Sequence, residues 1–133
     1  MEHRFFDPEN YAALIAAVGR EAREGDADAP ETLEFIGGHM RNLLSYVHAV
    51  GVSEVGIRIA DGSMEGESMR SRITELDRSR SRSHDAAIAS TSTLNRIAAA
   101  YGIGPLFTGD PARRREVAAF CMEVTAWLFE NRR

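Results

Sequence analysis

The sequence predicts an all-α fold, a single-domain bundle of four to five helices, and three observations lead there. Apolar residues recur at helical spacing in four stretches, Asp-Pro pairs at 7–8 and 110–111 announce two helix starts, and the one strand-like run has no second run to pair with. At 133 residues the chain is long enough to bury one proper core and is expected to form one helical domain over 1–133.

Asp7 reads as an N-cap with Pro8 in the first helical position, and Phe6 and Tyr11 are spaced for a hydrophobic staple. Tyr11, Leu14, Ile15 and Val18 give this helix its buried stripe, and Gly25 ends it. A second helix begins near Pro30 or Glu31 and runs to Val50, with Leu33, Ile36, Met40, Leu43, Leu44 and Val47 on one side and Gly51 as its stop. Gly37-Gly38 within it costs up to about 1 kcal/mol per residue against alanine, so a close helix contact or a kink is expected there. Over 52–66, Val55, Ile57 and Ile59 alternate with Gly56, Arg58 and Ala60, which predicts a flexible, extended connection or a short edge strand that pairs only in a dimer. From Glu67 the chain is helical again. One unbroken helix to Tyr101 would be about 52 Å long, so a break with Asp77 as cap is the more economical expectation, with Gly102 as the left-handed stop. The last helix follows Asp110-Pro111, turns Val117, Phe120, Cys121, Val124, Trp127 and Leu128 inward, and ends in Arg132-Arg133, which suits the negative end of its dipole.

Composition narrows the function classes. Hydrophobic residues at 44% and charged residues at 27% are the balance of a globular chain rather than a disordered one. No apolar run reaches the roughly 18 residues of a membrane span, and Met1-Glu2-His3-Arg4 leads into no signal-peptide core. Cytoplasmic location is expected, in keeping with a single cysteine, Cys121, which on its apolar stripe reads as a core residue rather than a nucleophile. All sixteen basic residues are arginine, the mark of a GC-rich bacterial genome more than of a function. Their position says more. Residues 1–66 hold five Arg against twelve Asp/Glu, and 67–133 hold eleven against eight, so the halves carry −7 and +3. The C-terminal half is the one able to face an anion. A net charge of −4 and the lack of a recognition motif argue against nucleic acid, the short Ser-Arg alternation at 79–83 notwithstanding. His39 and His48 lie on opposite sides of one helix, so no metal is expected, and no cofactor motif is present.

The stripe Ile73, Leu76, Ile88, Leu94, Ile97, Tyr101 is interrupted on its own face by Arg80, His84 and Thr91. A buried cation and imidazole must each find a partner or cost several kcal/mol. Asn95 lies near the same stripe, Arg78 and Arg82 share the other side, and Asp85 is about 100° round the helix, so the counter-charge of His84 has to come from elsewhere. Two readings stay open: a buried polar network or dimer contact, or a site for a small anionic ligand. In the second, His84 is the candidate proton-transfer group, and Arg78, Arg80, Arg82, Asn95, Arg113 and Arg114 are the candidate ligand-binding residues. Arg113-Arg114-Arg115 in the first turn of the last helix would add to the pull of a helix N-terminus on an anion.

The run Arg80-x-x-x-His84-Asp85-x-x-Ile88-x-x-x-x-x-Leu94-Asn95-Arg96, then Tyr101-Gly102-Ile103-x-Pro105-Leu106-Phe107 and Leu128-Phe129-Glu130-Asn131-Arg132, resembles a family of small all-helical bacterial domains of unknown function. The resemblance covers the C-terminal half and implies an all-α fold without naming an activity, cofactor or substrate. The leading expectation is therefore an interaction or regulatory domain acting as a homodimer, since amphipathic bundles commonly complete a core across a two-fold axis. The competing one is a small enzyme or binding protein for an anionic metabolite.

Overall fold

A computed structural model describes residues 3–63 and 66–131 and contains four helices: α1 (Pro8–Arg23), α2 (Ala29–Ser63), α3 (Gly66–Ala100) and α4 (Arg114–Glu130). The Arg132-Arg133 ending lies outside the described residues. At the start of α1, the Asp7 carboxylate accepts from the Asn10 N–H at 3.0 Å, and the Phe6 and Tyr11 rings meet at 6.2 Å as the staple requires. Leu14 and Val18 of α1 are fully buried.

Three boundaries differ from expectation. The helix α2 does not stop at Gly51, and the segment expected to be an extended connection is helix through Ser63. Its apparent alternation is also a helical pattern, because Val52, Val55 and Ile59 fall on one face of α2 at three- and four-residue steps. The glycine that α2 needs for close packing is Gly56 rather than the Gly37-Gly38 pair: a Cβ there would lie 2.7 Å from the Leu76 side chain of α3, whereas the pair meets only the Arg41 guanidinium. The second difference is that α3 runs unbroken through Asp77, whose carboxylate pairs with Arg80 one turn on instead of capping a new helix. Third, α4 begins at Arg114 with Arg113 as its N-cap. Asp110 holds a separate turn, accepting from the Ala112 N–H at 2.9 Å while its own N–H donates to Glu116 at 3.0 Å.

Gly102 ends α3 as expected, at φ 69°, with Gly102 N–H donating to the Ala99 carbonyl and Ile103 N–H to the Ala98 carbonyl. The following linker is latched twice. Asn95 accepts from the N–H groups of Leu106 and Phe107 and donates to the Phe107 carbonyl, each at 2.9 Å. The N-terminal arm then lies antiparallel to it, with Asp7 N–H donating to the Leu106 carbonyl and Thr108 N–H to the Phe5 carbonyl. That arm is held from the other side by the buried Glu123 of α4, whose carboxylate accepts from three successive N–H groups, Arg4, Phe5 and Phe6, at 2.7–2.8 Å.

The core is asymmetric. Phe6, Leu14, Ile36, Leu43, Leu94, Phe107, Phe120 and Val124 form one cluster where α1 and α4 pack against the lower part of the α2–α3 hairpin. Beyond Val50 on α2 and before His84 on α3, the buried residues are only Ser53 and Leu76 among those described. The outer part of the hairpin, about 20 Å of helix at 1.5 Å per residue, is thus two helices thick and carries almost none of the core.

Candidate functional site

Where the two-helix and four-helix parts meet, a cavity of about 240 Å³ opens between α2, α3 and the start of α4, lined chiefly by Tyr46, Val50, Arg80, His84, Asp85 and Arg114. The antiparallel hairpin sets Tyr46 against His84, edge-on with ring centroids 5.3 Å apart. His84 is 7% exposed. Its Nε2 is buried without a hydrogen-bond partner, and its Nδ1 stands 3.8 Å from the Asp85 carboxylate, beyond hydrogen-bond reach. A buried nitrogen left in that state costs on the order of 1–3 kcal/mol. Arg80, expected to face the core, is half-exposed and turned to Asp77 at the cavity wall. Arg114 has no acidic partner among the described residues. Burial and, secondarily, Cys121 push the Tyr46 phenol above its ordinary pKa, and the Arg80 and Arg114 charges oppose that shift.

The structure therefore brings together three of the residues singled out in the sequence, Arg80, His84 and Arg114, and sets the others apart. Arg78 and Arg82 line a shallow groove along α3 with Arg70, Glu67 and Glu75. Arg113 lies 3.8 Å from Asp110, and Arg115 borders a groove beside Arg4 and Phe5. Asn95 has both ends of its amide engaged by the linker backbone and does not border the cavity. Sequence reasoning missed Tyr46 and Val50. They extend the α2 stripe from Leu43, but only the register of the hairpin shows that they face His84. Cys121 is buried in the core, where burial pushes its thiol up to about 12, far from a nucleophile's range.

A second polar knot ties α2 to α3. Buried Ser90 accepts from the Asn42 amide at 2.9 Å, and its Oγ lies 3.1 Å from His39 Nδ1. Full burial of Ser90 denies it a substrate, so this is a structural tie. Burial and, secondarily, the Arg96 guanidinium hold the His39 pKa below its ordinary value. The unfolded chain then binds more protons than the folded one once pH drops below about 6.5, so this group's contribution is present above that pH and lost as pH falls through the window beneath it. Urea midpoints at pH 7.5 and 5.5 check this: His39→Gln is expected to flatten the decline seen in the wild type, and parallel declines would contradict it.

The outer hairpin offers a different surface. Val52, Val55 and Ile59 are 43%, 56% and 59% exposed, and with His48, Gly51 and Arg72 they border an apolar groove. Leu44, also exposed, continues the same line, so that 44, 48, 51/52, 55 and 59 follow the three- and four-residue steps of a coiled-coil seam.

A family model described as "Protein of unknown function (DUF3232)" matches residues 18–133. The chain belongs to this family. Membership in DUF3232 extends the resemblance seen in the C-terminal half across nearly the whole chain and agrees with the all-helical fold, while assigning no activity. No curated protein and no solved structure matches the chain. Among the described residues of this DUF3232 protein, no helix is long and apolar enough to cross a membrane, and no group of three His, Cys, Asp or Glu side chains is placed to hold a metal ion.

Proposed function

We propose that this DUF3232 chain is an interaction module of the bacterial cytoplasm that acts as a homodimer, with the outer halves of two α2–α3 hairpins packing into a four-helix bundle. The observation that carries the proposal is the apolar seam Val52–Val55–Ile59, exposed on the outer hairpin, which among the described residues has no second layer over it. A two-helix layer cannot enclose an apolar core, and a second copy supplies the two further helices that a four-helix bundle needs. Because each copy presents the same seam, the contact closes on itself about a two-fold axis rather than growing into a filament. Exposed apolar rows rimmed by polar residues are the usual mark of such a contact; here Glu54 and Arg58 flank the seam in sequence and Arg72 borders it. The all-arginine basic set supports a bacterial source, and the single buried thiol suits a reducing compartment.

Sedimentation equilibrium tests the proposal. The wild type is expected at twice the 14.7 kDa chain mass, and Val55→Asp at the single chain mass with unchanged helical content. Since Val55 is more than half exposed, the substitution leaves the fold of one copy intact. A monomeric wild type, or a dimer indifferent to aspartate at 55, would contradict the proposal.

A further inference from the structure

The geometry points to the Tyr46–His84–Arg114 cavity as a binding site for a small monocarboxylate, with the carboxylate between Arg114 and the imidazole of His84 and the apolar part of the ligand against Tyr46 and Val50. Such binding is independent of dimerisation, because no residue lining the cavity borders the seam groove.

Four observations carry it. First, His84 is more than nine-tenths buried, lines the cavity, and leaves Nε2 without a hydrogen-bond partner. Nε2 is shielded from solvent, so an acceptor in the cavity meets it only after a small rotation of the ring; in the tautomer that protonates Nε2 it then donates to an acceptor the chain does not provide. Second, Arg114 has no ion-pair partner among the described residues and stands in the first position of α4, where the N-terminal end of a 17-residue helix adds to its attraction for negative charge. A guanidinium matches the planar, two-oxygen geometry of a carboxylate. Third, the charges around the cavity bear on the valence of its ligand. Arg80 pairs with Asp77 while Arg114 has no acidic partner among the described residues, and Asp85 at the rim opposes a second negative charge. This favours a monoanion over phosphate or a dicarboxylate. Fourth, a cavity of about 240 Å³ has the volume of about eight waters. It lies below the usual range for drug-sized ligands and suits a short-chain or single-ring acid whose apolar end meets the Tyr46 ring and the Val50 methyls.

Benzoate and butyrate serve as probes, by isothermal titration and by thermal shift at constant ionic strength, with succinate and orthophosphate alongside. Benzoate or butyrate is expected to bind saturably and raise the melting temperature. Arg114→Gln, at an exposed position, is expected to leave the unliganded melting temperature unchanged and to weaken that binding about tenfold or more. His84→Gln is expected to weaken it as well if the variant folds; the Arg114 variant decides the matter if it does not. Absence of any carboxylate binding, or binding untouched by Arg114→Gln, would overturn the site. Tighter binding of succinate or orthophosphate, lost in Arg114→Gln, would overturn the assignment to monocarboxylates.

Discussion

Replacing Glu123 by alanine is expected to cost about 3–5 kcal/mol, the largest effect of any single substitution considered. Three N–H groups, two of them partly and one fully buried, lose the same charged acceptor at once. Hydrogen bonds to a charged group are worth about 1.5–3 kcal/mol each, and each donor left behind carries its own desolvation cost, so even with strong non-additivity the sum is a large share of a stability of about 5–15 kcal/mol. The loss would spread. The arm carries Phe6, whose ring packs edge-on against Phe120 at 5.8 Å and Trp127 at 5.7 Å and sits beside Tyr11. A melting temperature lower by roughly 10–20 °C is the expected reading. Glu123→Gln can keep a carbonyl acceptor for Phe5 and Phe6 but sets its amide NH2 against the Arg4 N–H, so it should lose less than alanine while still falling below the wild type. Equal and small effects of the two substitutions would show that the arm is not anchored through this carboxylate.

Asn95→Ala is the second large effect, expected at about 2–4 kcal/mol. The amide satisfies two linker N–H groups and one carbonyl, and these hold Leu106 and Phe107, both fully or almost fully buried, against α3. Asn95→Asp retains the two acceptor contacts and should fall between the wild type and alanine in chemical denaturation. This ordering separates the two roles open to Asn95. A residue that served only a ligand would tolerate alanine with little loss of stability; a latch would not. Neutral behaviour of Asn95→Ala in denaturation would remove the latch.

What the sequence disclosed depended on how local the cause was. The start of α1 was legible because Asp7, Pro8, Phe6 and Tyr11 act within one turn, and the end of α3 because Gly102 supplies the left-handed residue that its stop requires. Gly51, Asp77 and Asp110 carry the same kind of local signal and yet do not mark helix boundaries. At the first two positions the helix runs on: α2 packs along α3 beyond Gly51, with Gly56 against Leu76, and Asp77 pairs with Arg80 within one long helix, while Asp110 holds a turn of its own before α4. For the site, His84 was legible as a polar residue on an apolar stripe, whereas Tyr46 and Val50 required the register of the hairpin. Glu123 occupies an inward slot, three residues after Phe120 and four before Trp127. Nothing in its neighbours distinguishes it from a solvated glutamate, because its partners are backbone groups some 120 residues away.

Two copies of the chain are proposed to meet along the outer hairpin. Val52 lies at the middle of the seam from Leu44 to Ile59, so a two-fold contact brings each Val52 close to its counterpart whether the paired α2 helices run parallel or antiparallel. A spin label attached through Val52→Cys, with buried Cys121 left in place, gives the most direct measurement by pulsed electron resonance. Helices packed at about 8–10 Å between axes predict a short, narrow distance between labels at 52. A label at exposed Ala13 on α1 should give a much longer one. A signal at 52 with no intermolecular distance, or a short distance at 13 instead, would contradict the dimer proposed for this protein.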